Sequence, residues 1–170
     1  MLNLETVKQD IEQWIANFVE VPHPSLGGWP PCPYAKKARL DRDFDVKLGT
    51  TPIADLQALY NNGLSKSVVI YVYEPDEFPH AQFSQDLDFA NSTFLLEKDI
   101  IVLEDHPNDL EIVNGVCMNQ GRYALAMCQS VSDLNVKAQH MASKGFYNNW
   151  PKEYLNVLFK FRKDPRQPQS

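Results

Sequence analysis

The chain has 170 residues, of which 44% are hydrophobic and 22% charged, a composition typical of one folded domain with a substantial core. Its net charge is −6 and it has no cluster of Lys and Arg, which argues against binding to nucleic acid. No apolar run could span a bilayer, and the three widely spaced cysteines form no disulfide framework, so we expect a cytoplasmic protein without a membrane segment or signal peptide.

The first predicted element is an amphipathic helix over residues 4–20. Its apolar residues recur at steps of three and four: Leu4, Val7, Ile11, Trp14, Ile15, Phe18 and Val19. A loop rich in proline and glycine follows and leads to Cys32-Pro33. This pair indicates an N-cap followed by proline at the first helical position, which predicts a short helix over 34–40.

Strands and helices then alternate. The spacing of Phe44, Val46 and Leu48 predicts a half-buried strand, and Thr51-Pro52 predicts the start of a helix that ends near Gly63. Two apolar runs, over 67–73 and 99–105, predict central strands with a helix beginning at Pro79 between them. Further predicted elements are a short strand over 116–118, a turn over 119–121, a strand over 123–129, a helix capped by Ser132, and a last helix from Pro151.

This order of elements predicts an α/β (or α+β) fold with a single domain over residues 1–162 and a disordered tail over 163–170. We expect a mixed sheet of four to five strands with βαβ units and helices packed on it. A C-terminal hairpin would add antiparallel strands at one side of the sheet. A ferredoxin-like or thioredoxin-like two-layer sandwich is the alternative.

Reactive side chains are predicted to gather at the carboxyl edge of this sheet, where the helices of βαβ units begin. That edge would hold the start of the helix at His80 and the strand end at Glu104, Asp105 and His106. The helix that opens at Cys32 precedes a strand, so Cys32 is also expected at that edge, together with His23 on the loop that leads to it. The candidate catalytic residues are Cys32, His106 and Asp105, and the candidate metal ligands are Cys32, His23, His80, His106 and Glu104.

Cys32 supports the sharpest chemical hypothesis. At a helix N-terminus, backbone N–H groups stabilise a thiolate and lower the thiol pKa. Such a thiolate would attack an electrophile or bind a metal, with His106 as base or ligand and Asp105 or Glu104 orienting it. Cysteine, histidine and carboxylate together suit zinc or iron, although compact spacings such as CxxC are absent. The alternative is a buried cysteine that acts as a small hydrophobe.

The segment around Cys32 resembles an uncharacterised bacterial family. In PPCPYAKKARL, residues 30–40, the run Cys32-Pro33-Tyr34-Ala35-Lys36 is similar to that family's Leu-Cys-Pro-Phe-Ala-Lys motif, with tyrosine for phenylalanine and proline for leucine. His106-Pro107 is similar to a His-Pro that follows a strand in the family. The resemblance implies βαβ elements and singles out Cys32 and His106 for testing, but it carries no function.

Two functions from different classes follow from these observations. The first is a small-molecule enzyme that uses a thiolate or metal site centred on Cys32 and His106. The second is a non-catalytic binding or dimerisation module, in which Trp29, Trp150 and Tyr154 form a homodimer contact.

Overall fold

The computed structural model describes residues 1–119 and 121–167. These residues form six α-helices, which are α1 (Leu4–Trp14), α2 (Ala35–Leu40), α3 (Pro52–Asn62), α4 (His80–Ala90), α5 (Val131–Ser143) and α6 (Lys152–Leu158). Their strands are β1 (Phe44–Leu48), β2 (Val68–Tyr73), β3 (Ile100–Asp105), β4 (Ile112–Val113), β5 (Val116–Cys117) and β6 (Ala124–Ser130). The predicted α/β single domain with a mixed sheet is confirmed.

The main sheet has four strands in the order β1-β2-β6-β3. The strands β1 and β2 pair in parallel and are connected by α3, which makes a βαβ unit. β6 runs antiparallel between β2 and β3, so β3 has the same direction as β1 and β2. The antiparallel strand therefore lies inside the sheet and not at its side, and β3, which was predicted to be a central strand, lies at the edge.

The hairpin also differs from the prediction. β5 pairs with β4, not with β6, across a turn in which Asn114 and Gly115 have φ of 50° and 80°. Positive φ at both central residues is typical of a two-residue hairpin turn. The predicted turn over 119–121 includes Gln120, which lies outside the described residues.

The helices cover both faces of the main sheet. α3 and α4 pack on one face, in a core that includes Tyr73 of β2 and Val102 of β3. α1 packs on the opposite face, against Val72 and Leu125. Within the described chain, no helix combines the length and apolarity that crossing a membrane requires.

Strand alternation separates the two acidic residues that end β3. Ile100 and Val102 belong to the core under α3 and α4, and Glu104 follows them at the same spacing of two. Successive side chains of a strand point to opposite faces, so Asp105 lies on the other face of the sheet.

A third core joins α5, α6, the hairpin and the loop before α2. Its buried members are Leu26, Val113, Ala138, Met141, Phe146, Trp150, Leu155 and Phe159. Trp150 is 8% exposed, and Trp29 and Tyr154 pack against the same core. The aromatic residues on which the homodimer contact was predicted are therefore largely used in packing within the chain.

Several elements begin or end at residues other than those predicted from the sequence. α1 continues beyond Trp14 as a π-helical segment, Ile15–Val19, so both together cover the predicted helix. The side chain that caps α5 is Ser130, not Ser132, and its Oγ accepts a hydrogen bond from Asp133 N–H at 3.2 Å. In the predicted tail, Lys163 N–H donates to Asn135 Oδ1 at 3.0 Å, and residues 168–170 lie outside the described residues.

Candidate metal centre

Three side chains of metal-binding type meet where β3 ends. His80 is the first residue of α4, Glu104 is near the end of β3, and Asp109 lies in the turn that follows. One ligand atom from each lies within 4.8 Å of the others. Nε2 of His80 is 3.6 Å from Glu104 Oε1 and 3.5 Å from Asp109 Oδ2. Two ligand atoms about 2.1 Å from one tetrahedral metal ion are roughly 3.4 Å apart, so this spacing suits a shared ion.

Two polar atoms of this cluster, Nε2 of His80 and Oε2 of Glu104, are buried and have no hydrogen-bond partner within residues 1–119 and 121–167. The other Glu104 oxygen accepts a hydrogen bond from Ser84 Oγ at 3.2 Å. Burial raises the pKa of Glu104, although Ser84 and His80 oppose this shift. Buried polar atoms are rarely left without partners, and a bound cation would satisfy both of these.

His106 lies next to the cluster and contacts both His80 and the turn that carries Asp109. Its Nδ1 accepts a hydrogen bond from Asn108 N–H at 3.1 Å, so Nε2 carries the proton and donates to the Phe78 carbonyl at 2.9 Å. Its backbone carbonyl accepts from Asp109 N–H at 3.0 Å, and its ring lies 5.5 Å from the His80 ring.

Both ring nitrogens of His106 are therefore engaged, and the residue is only 1% exposed. Neither nitrogen has a free lone pair for a metal or for a substrate proton. This geometry makes His106 a positioning residue for the turn and for His80, in place of the predicted base or ligand.

Asp105 occupies the other face of the sheet. It is 5% exposed, and among the described residues neither of its carboxylate oxygens has a hydrogen-bond partner. Burial, together with the nearby charges of Glu111, Asp109 and Glu104, raises the pKa of Asp105 to about 7. The predicted hydrogen bond by which Asp105 would orient His106 is not formed, because both His106 nitrogens bond to backbone groups.

Cys32 lies in a different environment. Its N–H donates to the Val19 carbonyl at 3.1 Å, and the cations that act on its thiol are Lys137 of α5 and Arg162 after α6. Burial raises the pKa of the Cys32 thiol and outweighs these cations and the backbone N–H groups of the next turn. The prediction of a lowered thiol pKa is wrong for this reason.

The position of α2 explains why Cys32 is not part of the cluster. α2 begins at Ala35 with Tyr34 as its N-cap, so Cys32-Pro33 does not open the helix as predicted. The helix also precedes β1, the first strand, and no βαβ crossover places its N-terminus at the carboxyl edge of the sheet.

His23 is also separate from the cluster. Its N–H donates to the Trp29 carbonyl at 3.1 Å, and its ring packs 5.5 Å from the ring of Phe18. Within residues 1–119 and 121–167, the ligand group contains none of Cys32, His23 and His106.

Of the five predicted ligands, the structure brings together His80 and Glu104, and it adds Asp109, which sequence reasoning missed. One sequence feature could have indicated Asp109 as a ligand: it lies in the short polar turn that follows His106-Pro107. A carboxylate just beyond the carboxyl end of a strand lies at the end of the sheet where ligands bind in α/β folds.

Comparisons with known proteins give no homologue: no family model matches the chain, and neither the curated proteins nor the solved structures searched show a significant match. The resemblance around Cys32 therefore stays a prediction. Any function for this chain has to be argued from the geometry of its own side chains.

Proposed function

We propose that the protein binds a divalent metal ion, zinc or iron(II), through His80, Glu104 and Asp109, and that it uses this ion in chemistry on a small polar molecule. The observation that carries the proposal is the meeting of three ligand atoms within 4.8 Å. Two of the three side chains have buried atoms without hydrogen-bond partners in the described part of the chain. One imidazole and two carboxylates are a ligand set that both metals accept.

The arrangement favours a reactive centre over a closed structural one. Three protein ligands leave at least one coordination position for water or substrate, which is the pattern of catalytic zinc sites. Such an ion supplies Lewis-acid activation of the bound molecule. The side chains of His80, Glu104 and Asp109 are 31–32% exposed, so the group lies next to solvent although two of its polar atoms are covered.

The proposed centre replaces a centre at Cys32. That thiol has a raised pKa, and it lies outside the ligand group of the described residues. A buried thiol with a raised pKa is a poor nucleophile and a poor metal ligand near neutral pH, because both roles need the thiolate.

Elemental analysis of untagged protein purified without chelator tests the proposal. We expect about one zinc or iron per chain in the wild type and in Cys32→Ser, and loss of that metal in His80→Ala. His140→Ala is the matched control, because His140 is an exposed histidine of α5 outside the cluster, and it should retain the metal.

The opposite pattern would overturn the proposal. Metal that is lost in Cys32→Ser but retained in His80→Ala would return the site to the cysteine. No metal in the wild type, even after incubation with Zn²⁺ and with Fe²⁺ under anaerobic conditions, would exclude a metal centre at these residues.

A further inference from the structure

The strand β1 has a free edge. It is the first strand in the order β1-β2-β6-β3, and within residues 1–119 and 121–167 it pairs with β2 alone. The other edge of the sheet, at β3, is closed by the side chain of Asn91, which bonds to both backbone groups of Val102. An edge strand with unpaired backbone groups is a template on which another strand can pair.

The hydrogen bond just after β1 shows which of its backbone groups point outward. Gly49 N–H donates to the Val72 carbonyl of β2 at 2.9 Å. Successive residues of a strand direct their backbone groups to opposite sides, so every second residue counted back from Gly49 bonds to β2 and the others point away from it. The outward residues are Phe44, Val46 and Leu48. They form no backbone hydrogen bond outside the sheet in the described part of the chain, so each offers an N–H donor and a C=O acceptor to a further strand.

The side chains of β1 make the strand complementary to itself. Its sequence, Phe44-Asp45-Val46-Lys47-Leu48, is apolar at the first, third and fifth positions, acidic at the second and basic at the fourth. Reversing the direction of the strand exchanges the acid for the base and keeps the apolar positions. The side chains of Asp45 and Lys47 are 36% and 43% exposed and Leu48 is 39% exposed, so these groups are open to a partner strand.

We propose that β1 pairs with β1 of a second copy of this chain, antiparallel about a two-fold axis at Val46, so that the two sheets of a homodimer become continuous. A two-fold contact uses the same patch on both subunits and therefore needs a self-complementary patch. In this register Asp45 lies opposite the partner's Lys47, and Leu48 lies opposite the partner's Phe44. Backbone hydrogen bonds between the outward residues join the two strands, as in other cases of strand addition at a sheet edge.

Charge selects this register over its neighbours. Outward residues pair only with outward residues, so a neighbouring register moves the two-fold axis from Val46 to Asp45 or to Lys47. The first places Asp45 opposite the partner's Asp45, and the second places Lys47 opposite the partner's Lys47. Like charges directly opposite each other are destabilising, most of all in a non-hydrogen-bonded pair, whose Cα atoms are only about 4.5 Å apart. The axis at Val46 instead brings opposite charges together on both sides of it.

The contact is independent of the proposed metal centre. β1 and β3 lie at opposite edges of the sheet, and Glu104 belongs to β3. The contact also differs from the homodimer predicted from the aromatic residues, which are largely used in packing within the chain. The dimer therefore forms with or without metal, and failure of either proposal leaves the other standing.

Sedimentation velocity of the full chain over a range of concentrations tests the inference. A strand of five residues makes a small interface, so we expect monomer at about 1 µM and mostly dimer at about 500 µM. Asp45→Lys and Lys47→Asp each place like charges opposite each other, and each should raise the Kd of the dimer roughly tenfold or more. Lys152→Asp, the same charge reversal at an exposed residue of α6, should dimerise as the wild type does, and so should His80→Ala.

Combining the two substitutions checks the register by recovery of the dimer. The double variant Asp45→Lys/Lys47→Asp again has opposite charges at each facing pair, so its Kd should return to within about threefold of the wild-type value. A mixture of the two single variants should form a heterodimer at concentrations where each alone is monomeric, because one carries lysine and the other aspartate at both positions. Both results require folded chains, so they distinguish charge repulsion from a folding defect.

Other patterns would overturn the inference. A wild type that stays monomeric at every concentration would exclude the β1 dimer. A dimer that both single variants retain would use another surface, and a dimer lost in His80→Ala would depend on the metal centre and not on β1. Single variants that lose the dimer, with no recovery in the double variant or in the mixture, would show that Asp45 does not face the partner's Lys47.

Discussion

His106 and Asp105 are neighbouring groups of one active centre in the sequence-based hypothesis, but the structure gives them unrelated tasks. Both ring nitrogens of His106 bond to backbone groups, whereas Asp105 has no hydrogen-bond partner at either oxygen among the described residues. At this scale, function depends on which atoms are already hydrogen-bonded. A buried histidine with two hydrogen bonds positions its neighbours, whereas a buried carboxylate with none lacks the partners that buried polar groups ordinarily have.

Replacing His106 with alanine should show whether His106 positions the metal ligands or is itself a ligand. His106→Ala removes two hydrogen bonds and leaves a cavity, so we expect the free energy of unfolding of the metal-free protein to fall by about 2–4 kcal/mol. Metal affinity should weaken because His80 and the Asp109 turn lose their support, yet saturation should still reach one zinc or iron per chain. Denaturant unfolding and zinc titration measure the two effects. Unchanged stability together with complete loss of metal would make His106 a ligand.

Asp105 should make the stability of the metal-free protein depend on pH near neutrality. Its folded pKa, about 7, is raised above the ordinary value of an aspartate, so the ionised form opposes folding. The ionised Asp105 destabilises the folded state fully above pH 7. This destabilisation decreases as the pH falls through 7 toward the pKa of Asp105 in the unfolded chain. We therefore expect Asp105→Asn to raise the free energy of unfolding at pH 8 by about 1–3 kcal/mol and to have a smaller effect at pH 5.

Denaturant unfolding at both pH values, with chelator present, measures the effect of Asp105→Asn. Asp133→Asn is the control, because Asp133 is an exposed residue of α5 that pairs with Lys137 in solvent. A destabilised Asp105→Asn at pH 8 would show that the carboxylate already has a stabilising partner.

β3 shows how a side chain closes the edge of the sheet. It is an edge strand, and Asn91 of the π-helical segment Asn91–Leu95 bonds to both backbone groups of Val102. Nδ2 of Asn91 donates to the Val102 carbonyl at 2.9 Å, and Oδ1 accepts from Val102 N–H at 2.8 Å. The amide thus replaces a neighbouring strand at the point where β3 leads into Glu104.

Removal of this amide should loosen β3 locally. Asn91→Ala leaves two buried backbone groups unpaired, so we expect a loss of about 2–4 kcal/mol in the free energy of unfolding. Hydrogen exchange at Val102 N–H should become faster, and zinc affinity should fall with it because Glu104 follows in the same strand. Ser92→Ala, a change at the exposed neighbour, should leave both unchanged. Equal exchange rates at Val102 in the two variants would contradict this role.

At the scale of the whole molecule, the proposed centre of His80, Glu104 and Asp109 links segments that are distant along the chain. His80 belongs to α4, whereas Glu104 and Asp109 flank the end of β3, more than twenty residues later. An ion that binds all three binds only the folded chain, because the unfolded chain does not hold these ligands together. Metal binding should therefore contribute directly to stability.

Chelation should lower the thermal stability of the wild type. With free metal at a hundred times Kd, binding adds about 2.7 kcal/mol, which for a chain of this size corresponds to roughly 5–10 °C in Tm. Differential scanning calorimetry with zinc and with EDTA measures the shift. His80→Ala should melt at the same temperature in both conditions. A wild-type Tm that does not respond to EDTA would argue against the centre.

Most elements of the fold follow from local sequence patterns. Hydrophobic patterns predict α1, the strands β2, β3 and β6, and the helices between them, because burial on one face leaves a periodic pattern and burial on both faces leaves a continuous apolar run. Proline and glycine positions predict several boundaries, among them the start of α3 at Pro52. The chemistry of His80 and Glu104 is also visible in the sequence, since both follow from the rule that βαβ helices begin where strands end.

Tertiary structure alone decided which of these groups meet. The insertion of β6 between β2 and β3, the partners of His106, the inclusion of Asp109 and the burial of Cys32 all depend on contacts between distant segments. Local periodicity encodes how each segment is buried, but it does not encode which segment covers it. Local patterns are therefore sufficient to predict most elements and the end of the sheet where His80 and Glu104 lie, whereas packing between distant segments selects which side chains meet there and which of them lack hydrogen-bond partners in the described part of the chain.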